Sequence, residues 1–192
     1  MIRCHCQSKL KIRAEPAENE QAKKYIEGYF IVFNQETELW DGFFEKISPD
    51  AFDIAEGDIR CLYNHDNGAI LGRTGNGTFT LKKDERGIWG RVEVNENDPE
   101  AIAAYARVQR GDIYGCSFGF STPIDGEIYE ERDSEIHSTV VKGILHEMSV
   151  CVFPAYEQTD ISARSVMIKN SKTAEAKKRK AALKSKLEGL KC

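Results

Sequence analysis

The run Tyr25-Ile26-Glu27-Gly28-Tyr29-Phe30-Ile31-Val32-Phe33-Asn34 constrains this chain most. It is aromatic and β-branched almost throughout, the composition of a strand buried in a core. A chain carrying such a run builds its body around a sheet. Further strand signals follow at Asp58 to Tyr63, ending at Asn64-His65, and a weaker one precedes at Lys9 to Ala14. Thr78 to Lys82 and Ile88 to Val94 alternate around Asp84-Glu85-Arg86-Gly87, which predicts a hairpin.

One helix is marked at both ends. Asp98 supplies an N-cap, Pro99 the first helical position and Glu100 an acid in the first turn. Ala101, Ile102, Tyr105 and Val108 recur at helical spacing, and Gly111 stops the helix. Cys116 to Ser121 then reads as a strand, and Pro123 to Ser138 as an acidic, polar insertion. Strand material resumes at Thr139 to Ile144 and Glu147 to Phe153, closed by Pro154. Strands outnumber helices, so the predicted class is mainly β with α: a compact, mostly antiparallel sheet or barrel with a few helices packed on it. A doubly wound parallel sheet is excluded.

Three regions are expected: a lead-in over 1–24, a globular body over 25–165 and a basic tail over 166–192. The last 24 residues hold nine basic and two acidic side chains, although the chain as a whole has a net charge of −4. An acidic body with a basic tail suggests different partners for each. No long apolar run suits a membrane span, and the residues after Met1 form no secretory apolar region. A cytosolic location without disulfides follows, with Cys61, Cys116 and Cys151 as buried small hydrophobes.

The candidate chemistry lies in Gly115-Cys116-Ser117-Phe118-Gly119-Phe120, read together with Asn64-His65-Asp66. An isolated histidine and a serine are the raw material of a nucleophile and its base. Gly115-x-Ser117-x-Gly119 also matches the nucleophile elbow, but that motif needs a helix directly after the serine. Strand residues and Pro123 follow instead, so the elbow is rejected. A third member comes from the last strand, either Glu147 or His146. Adjacent strand side chains point to opposite faces, so only one of them shares a face with Ser117. His146 has the parity of Met148 and Val150. Glu147 has that of Ser149, the more polar side, where a carboxylate can orient an imidazole at lower desolvation cost. By the same alternation Cys116 opposes Ser117 and reads as a packed thiol, with a cysteine nucleophile as the minority reading. Asp66 is a poor orienting partner if its segment is extended. The bland alternative is an ordinary strand serine beside an ordinary Asn-His-Asp turn.

Several motifs occur together in a set order: Glu27 to Asn34, Ile47-Ser48-Pro49-Asp50-Ala51-Phe52, Leu62 to Asp66, Leu71-Gly72-Arg73 and Gly87-Ile88-Trp89-Gly90. Gly115 to Phe120, Glu147-Met148-Ser149-Val150 and Pro154-Ala155 complete the set. Over roughly Tyr25 to Ala163 the chain resembles the tailed-phage prohead (capsid maturation) proteases, a family similar in fold to the herpesvirus assemblins. The resemblance implies a β-barrel ringed by helices and a serine endopeptidase. Ser117 matches the nucleophile, His65 the base and Glu147 the third member. The assemblins use a second histidine there, which keeps His146 and His137 open as rivals.

Implied substrates are the scaffold or delta segment of the major capsid protein, and the protease itself, inside the immature capsid in the host cytoplasm. A homo-oligomer is compatible with this; membrane and nucleic-acid partners are not expected. Arg73 is the candidate substrate contact, weighed against an exposed arginine in a glycine-rich turn. No cofactor or metal is implied: Cys4-His5-Cys6 is too closely spaced to wrap a tetrahedral zinc alone. The tail at Lys177-Lys178-Arg179-Lys180 reads as a solvated extension, a tether to scaffold removed by self-cleavage. The rival reading of the whole chain is a catalytically silent assembly factor that keeps the fold.

Overall fold

A computed structural model describes residues 2–6, 11–15, 23–55 and 57–152. The first five strands are β1 (Ile2–Cys6), β2 (Lys11–Glu15), β3 (Lys23–Val32), β4 (Thr37–Trp40) and β5 (Phe43–Ile47). Next come β6 (Arg60–Tyr63), β7 (Asp66–Arg73), β8 (Phe79–Lys83) and β9 (Gly87–Glu93), then helix α1 (Pro99–Arg110). Strands β10 (Gly115–Ser121), β11 (Glu127–Arg132), β12 (Glu135–Val140) and β13 (Ile144–Cys151) complete the described chain.

The strands form three sheets in the orders β1-β10-β13-β6-β7, β11-β12-β5-β4 and β2-β3-β9-β8. Most pairings are antiparallel; β13–β6 and β12–β5 are parallel. The expected barrel is therefore corrected: among the described residues the sheets are open, and α1 is the one α-helix. Closing a barrel requires the first and last strands to pair at a fixed stagger, a long-range condition that local alternation does not encode.

Local signals held where the chemistry is local. Asp98 accepts from the Glu100 backbone N–H, Pro99 opens the helix, and Gly111 takes a left-handed φ of 85°. The β8–β9 hairpin forms as expected. The predicted insertion at Pro123 to Ser138 is corrected, because it contains most of the hairpin β11–β12. Thr139 and Val140 end β12, and the following strand is a single β13. Residues 166–192, with the basic cluster expected in the tail, and Pro154 lie outside the described residues.

The core draws on all three sheets, with Ile47 and Val140 contributed by the sheet of β5 and β12. Ile26, Phe30, Ile88 and Val92 from β3 and β9 pack with Cys61, Cys116, Phe118, Phe120, Met148 and Val150 from the first sheet. Phe30 and Phe79 meet edge to face at 5.7 Å between ring centroids. Each such side chain contributes about 1.5–3 kcal/mol on burial. The Phe79 and Phe30 rings pack so closely over the Gly90 backbone that a Cβ there would lie 2.8 Å from Phe79 and 2.9 Å from Phe30. That packing gives the first sheet a firm inner face, and the alternate residues of β10 and β13 emerge on the other. No helix among the described residues is long and apolar enough to cross a membrane.

Candidate active site

Two cross-strand registers assemble one polar patch inside the first sheet. Ser117 on β10 is the antiparallel partner of Ser149 on β13, and Gly119 is the partner of Glu147. Partners share a face, with Cβ atoms about 4.5–5.5 Å apart. Ser117, Ser149 and Glu147 therefore line one side of the sheet, all buried: Ser117 and Ser149 completely, Glu147 with 5% exposure. The neighbouring positions Cys116, Phe118, Met148 and Val150 belong to the core. The thiol of Cys116 donates to the Tyr29 carbonyl at 3.3 Å, as a packed thiol would. Burial, reinforced by Glu147 and then by the other thiols, pushes the Cys61 thiol well up.

The histidine arrives from a turn. Tyr63 pairs with Asp66, leaving Asn64 and His65 as a two-residue loop between β6 and β7. Their φ angles are 52° and 60°, and positive φ at both positions is what a tight hairpin turn of the I′ class requires. Asparagine suits this; a histidine there costs on the order of 1–2 kcal/mol. Distant strands hold the turn in place. The Asn64 N–H donates to the Val150 carbonyl, the Asn64 side-chain oxygen accepts from the Val152 N–H, and the His65 N–H donates to Ser149 Oγ at 3.2 Å.

So held, the imidazole lies 2.7 Å from Glu147, Nδ1 to Oε1, with side-chain exposures of 9% and 7%. A carboxylate accepts only, so the shared proton sits on Nδ1 and the neutral ring keeps its basic lone pair on Nε2. An imidazole in this state can take a hydroxyl proton at Nε2 while the carboxylate stabilises the imidazolium that results. Ser149 completes the cluster by donating to Glu147 Oε2 at 2.6 Å. It lies on the Nδ1 side of the ring, 3.3 Å from that atom, which is the side away from the basic nitrogen.

The rival histidines are placed elsewhere. A bulge in the β10–β13 pairing sets His146 out of regular alternation, and its Nε2 lies 2.8 Å from Ser121 Oγ. His137 sits on the second sheet, stacked on Phe44 and 2.8 Å from Glu36. Asp66 Oδ1 accepts from the Gly68 N–H and stays exposed.

Arg73 ends β7, opposite Arg60, which in turn pairs with Glu147. Two strand spacings, about 10 Å, separate Arg73 from Glu147 across the sheet. Its guanidinium clamps Asp58 at 3.1 and 2.5 Å, and this contact, followed by the Gly75 N–H, holds the Asp58 carboxyl below the usual range. Arg73 also lines an open cavity of about 310 Å³ with Ile70, Asn76, Glu93 and Asn95.

Ser149 is the member that residue-by-residue reading passed over. The signal was present in Glu147-x-Ser149, a spacing of two that puts both side chains on one face of a strand.

The sequence profile of the caudovirus prohead serine proteases matches residues 8–175. The prohead protease of Enterobacteria phage HK97 is 33% identical over 147 residues, which covers 72% of this chain and 59% of that protein. The matched region thus spans less than two thirds of the relative's length. No solved structure matches. With a profile match over most of its length and a relative sharing a third of the aligned residues, the chain belongs to the caudovirus prohead serine protease family.

Proposed function

We propose that this chain is a serine endopeptidase that works through an acyl-enzyme. Ser117 is the nucleophile, His65 the general base and Glu147 the carboxylate that holds the imidazole. The observation that carries this reading is the buried 2.7 Å contact between His65 and Glu147, on the sheet face that also bears Ser117. His65 takes the Ser117 proton at Nε2 as Oγ attacks the scissile carbonyl, then returns it to the leaving amine. Water repeats the cycle on the ester. Backbone N–H groups supply the oxyanion stabilisation such a reaction needs.

In this reading the substrates are scaffold or delta segments of the major capsid protein, and the protease itself, inside the prohead in the host cytoplasm; membership of a prohead protease family supports it. Arg73, beside its cavity, is the proposed contact for an extended peptide. Mass spectrometry of precursor capsid protein coexpressed with the enzyme tests the assignment. Precursor stays intact with Ser117→Ala; trimming at the wild-type rate by that variant would refute it.

One observation favours a second reading, a catalytically silent assembly factor. Ser117 has no exposed surface, so a carbonyl can reach Oγ only after the groups over it move. A serine-reactive fluorophosphonate separates the two readings. Adduct on Ser117 supports the protease, and a protein that remains unmodified in assembled proheads supports the assembly factor.

A further inference from the structure

We propose that Ser149 is a positioning residue of this site, a fourth member that holds both His65 and Glu147 in register with the strand of Ser117. The inference rests on the protease reading above and adds a specific role to it.

The hydroxyl is fully buried on a strand where an alanine would fit the alternation equally well. A buried hydroxyl without partners is costly, so its presence calls for bonds that compensate. Ser149 has them, and both lead into the site. Its proton goes to Glu147 Oε2 at 2.6 Å, and its oxygen accepts the His65 backbone N–H at 3.2 Å. One hydroxyl thereby ties together segments 84 residues apart.

Each bond does a separate task. With Oε2 engaged by Ser149, the carboxylate presents Oε1 to His65 Nδ1 and has one orientation rather than two. The second bond restrains the backbone of His65, whose φ of 60° is unfavourable for a residue with a side chain. Without it the turn is free to relax and the ring to swing. Ser149 is also the cross-strand partner of Ser117, so the same residue sets the height of the base relative to the serine. Its location beside Nδ1 and Glu147 rules it out as the group deprotonated at Nε2.

The experiment measures inactivation of the full chain by diisopropyl fluorophosphate, resolved into a reversible-binding constant and a maximal rate. It is coupled with proton NMR of the low-field His65 Nδ1–H resonance. Ser149→Ala is expected to lower the maximal rate about ten- to hundredfold, the scale of a small misplacement of reacting groups. The binding constant stays unchanged, and the resonance broadens or moves upfield. Ser149→Cys, of similar shape and with a weak S–H donor, falls between Ala and wild type, and takes over as the test if Ser149→Ala does not fold. A wild-type rate and an unshifted resonance in the substituted proteins would overturn the role of Ser149 while leaving the protease reading intact. Wild type that does not label at Ser117, or His65→Ala that labels as fast as wild type, would instead overturn the protease reading and this role with it.

Discussion

Two hairpins of this molecule are built from opposite kinds of contact. At the β8–β9 turn, Asp84 Oδ1 accepts from the N–H groups of Arg86 and Gly87, two and three residues away. The Tyr29 hydroxyl donates to its other oxygen at 2.6 Å, and Arg86 stacks over the Tyr29 ring at 4.4 Å. Beyond Tyr29 and the Phe33 N–H, which donates to the Arg86 carbonyl, the turn relies on its own few residues. The β6–β7 turn has little of that self-sufficiency. Both its loop residues adopt positive φ without glycine, and both are restrained by β13 and the residue following it, more than 80 positions along the chain. One turn serves the fold, and the other is held by the fold so that it can present a histidine. Asp133 and Ser134 between β11 and β12 share the positive φ, so what sets the β6–β7 turn apart is its attachment to a distant strand.

The contrast can be broken most severely at the histidine. His65→Ala should reduce proteolysis on the order of 10⁴-fold or more, because members of such a site act as a unit, whereas a substitution at Asp84 should leave turnover unchanged. Single-turnover cleavage of precursor capsid protein measures both. Glu147→Gln keeps a side chain of the same shape but loses the charge that stabilises the imidazolium. Its expected loss is roughly a hundredfold milder than that of His65→Ala, read in the same assay.

Asn64→Ala tests the turn itself. The variant loses the bond to the Val152 N–H and places an alanine at positive φ, for a combined cost of about 1–3 kcal/mol in urea unfolding. A loss below the error of the measurement would mean that the two turns are not differently built. The smallest effect belongs to the other hairpin. The Asp84 carboxyl is held below its ordinary range by the Tyr29 hydroxyl first and then by the Arg86 and Gly87 N–H groups. Its contribution is therefore present at neutral pH and above, and is lost as pH falls through the depressed folded value. NMR titration of that carboxyl should show the depression, and Asp84→Asn should flatten the corresponding acid loss of stability.

The same difference explains what could be read in advance. The β8–β9 hairpin, the capped helix at Asp98 to Gly111 and the strand at Tyr25 to Asn34 are written in adjacent residues, so their chemistry is visible without a fold. Ser117, His65 and Glu147 were legible as candidates from residue type and order, with Glu147 favoured by strand parity and His146 left open. The bulge that removes His146 from alternation was not legible, because it arises where β10 and β13 pair. The hairpin β11–β12 was hidden by its composition: Glu127, Glu130, Glu131, Arg132 and Glu135 make a strand pair look like an insertion. Its exposed outer strand tolerates that charge, and charged edge residues discourage pairing with other chains.

Sequence by itself determined the mainly β class, one capped helix and a short set of candidate groups for acyl chemistry. Only the tertiary structure decided that the described sheets stay open, that His65 occupies a left-handed turn and that Ser149 bonds to both it and Glu147. The physical reason is range. Capping and alternation act over two to four residues, whereas β6 meets β13 in parallel register across more than 80 residues of intervening chain. The carboxylate, the imidazole and the hydroxyl become neighbours only once that pairing has formed.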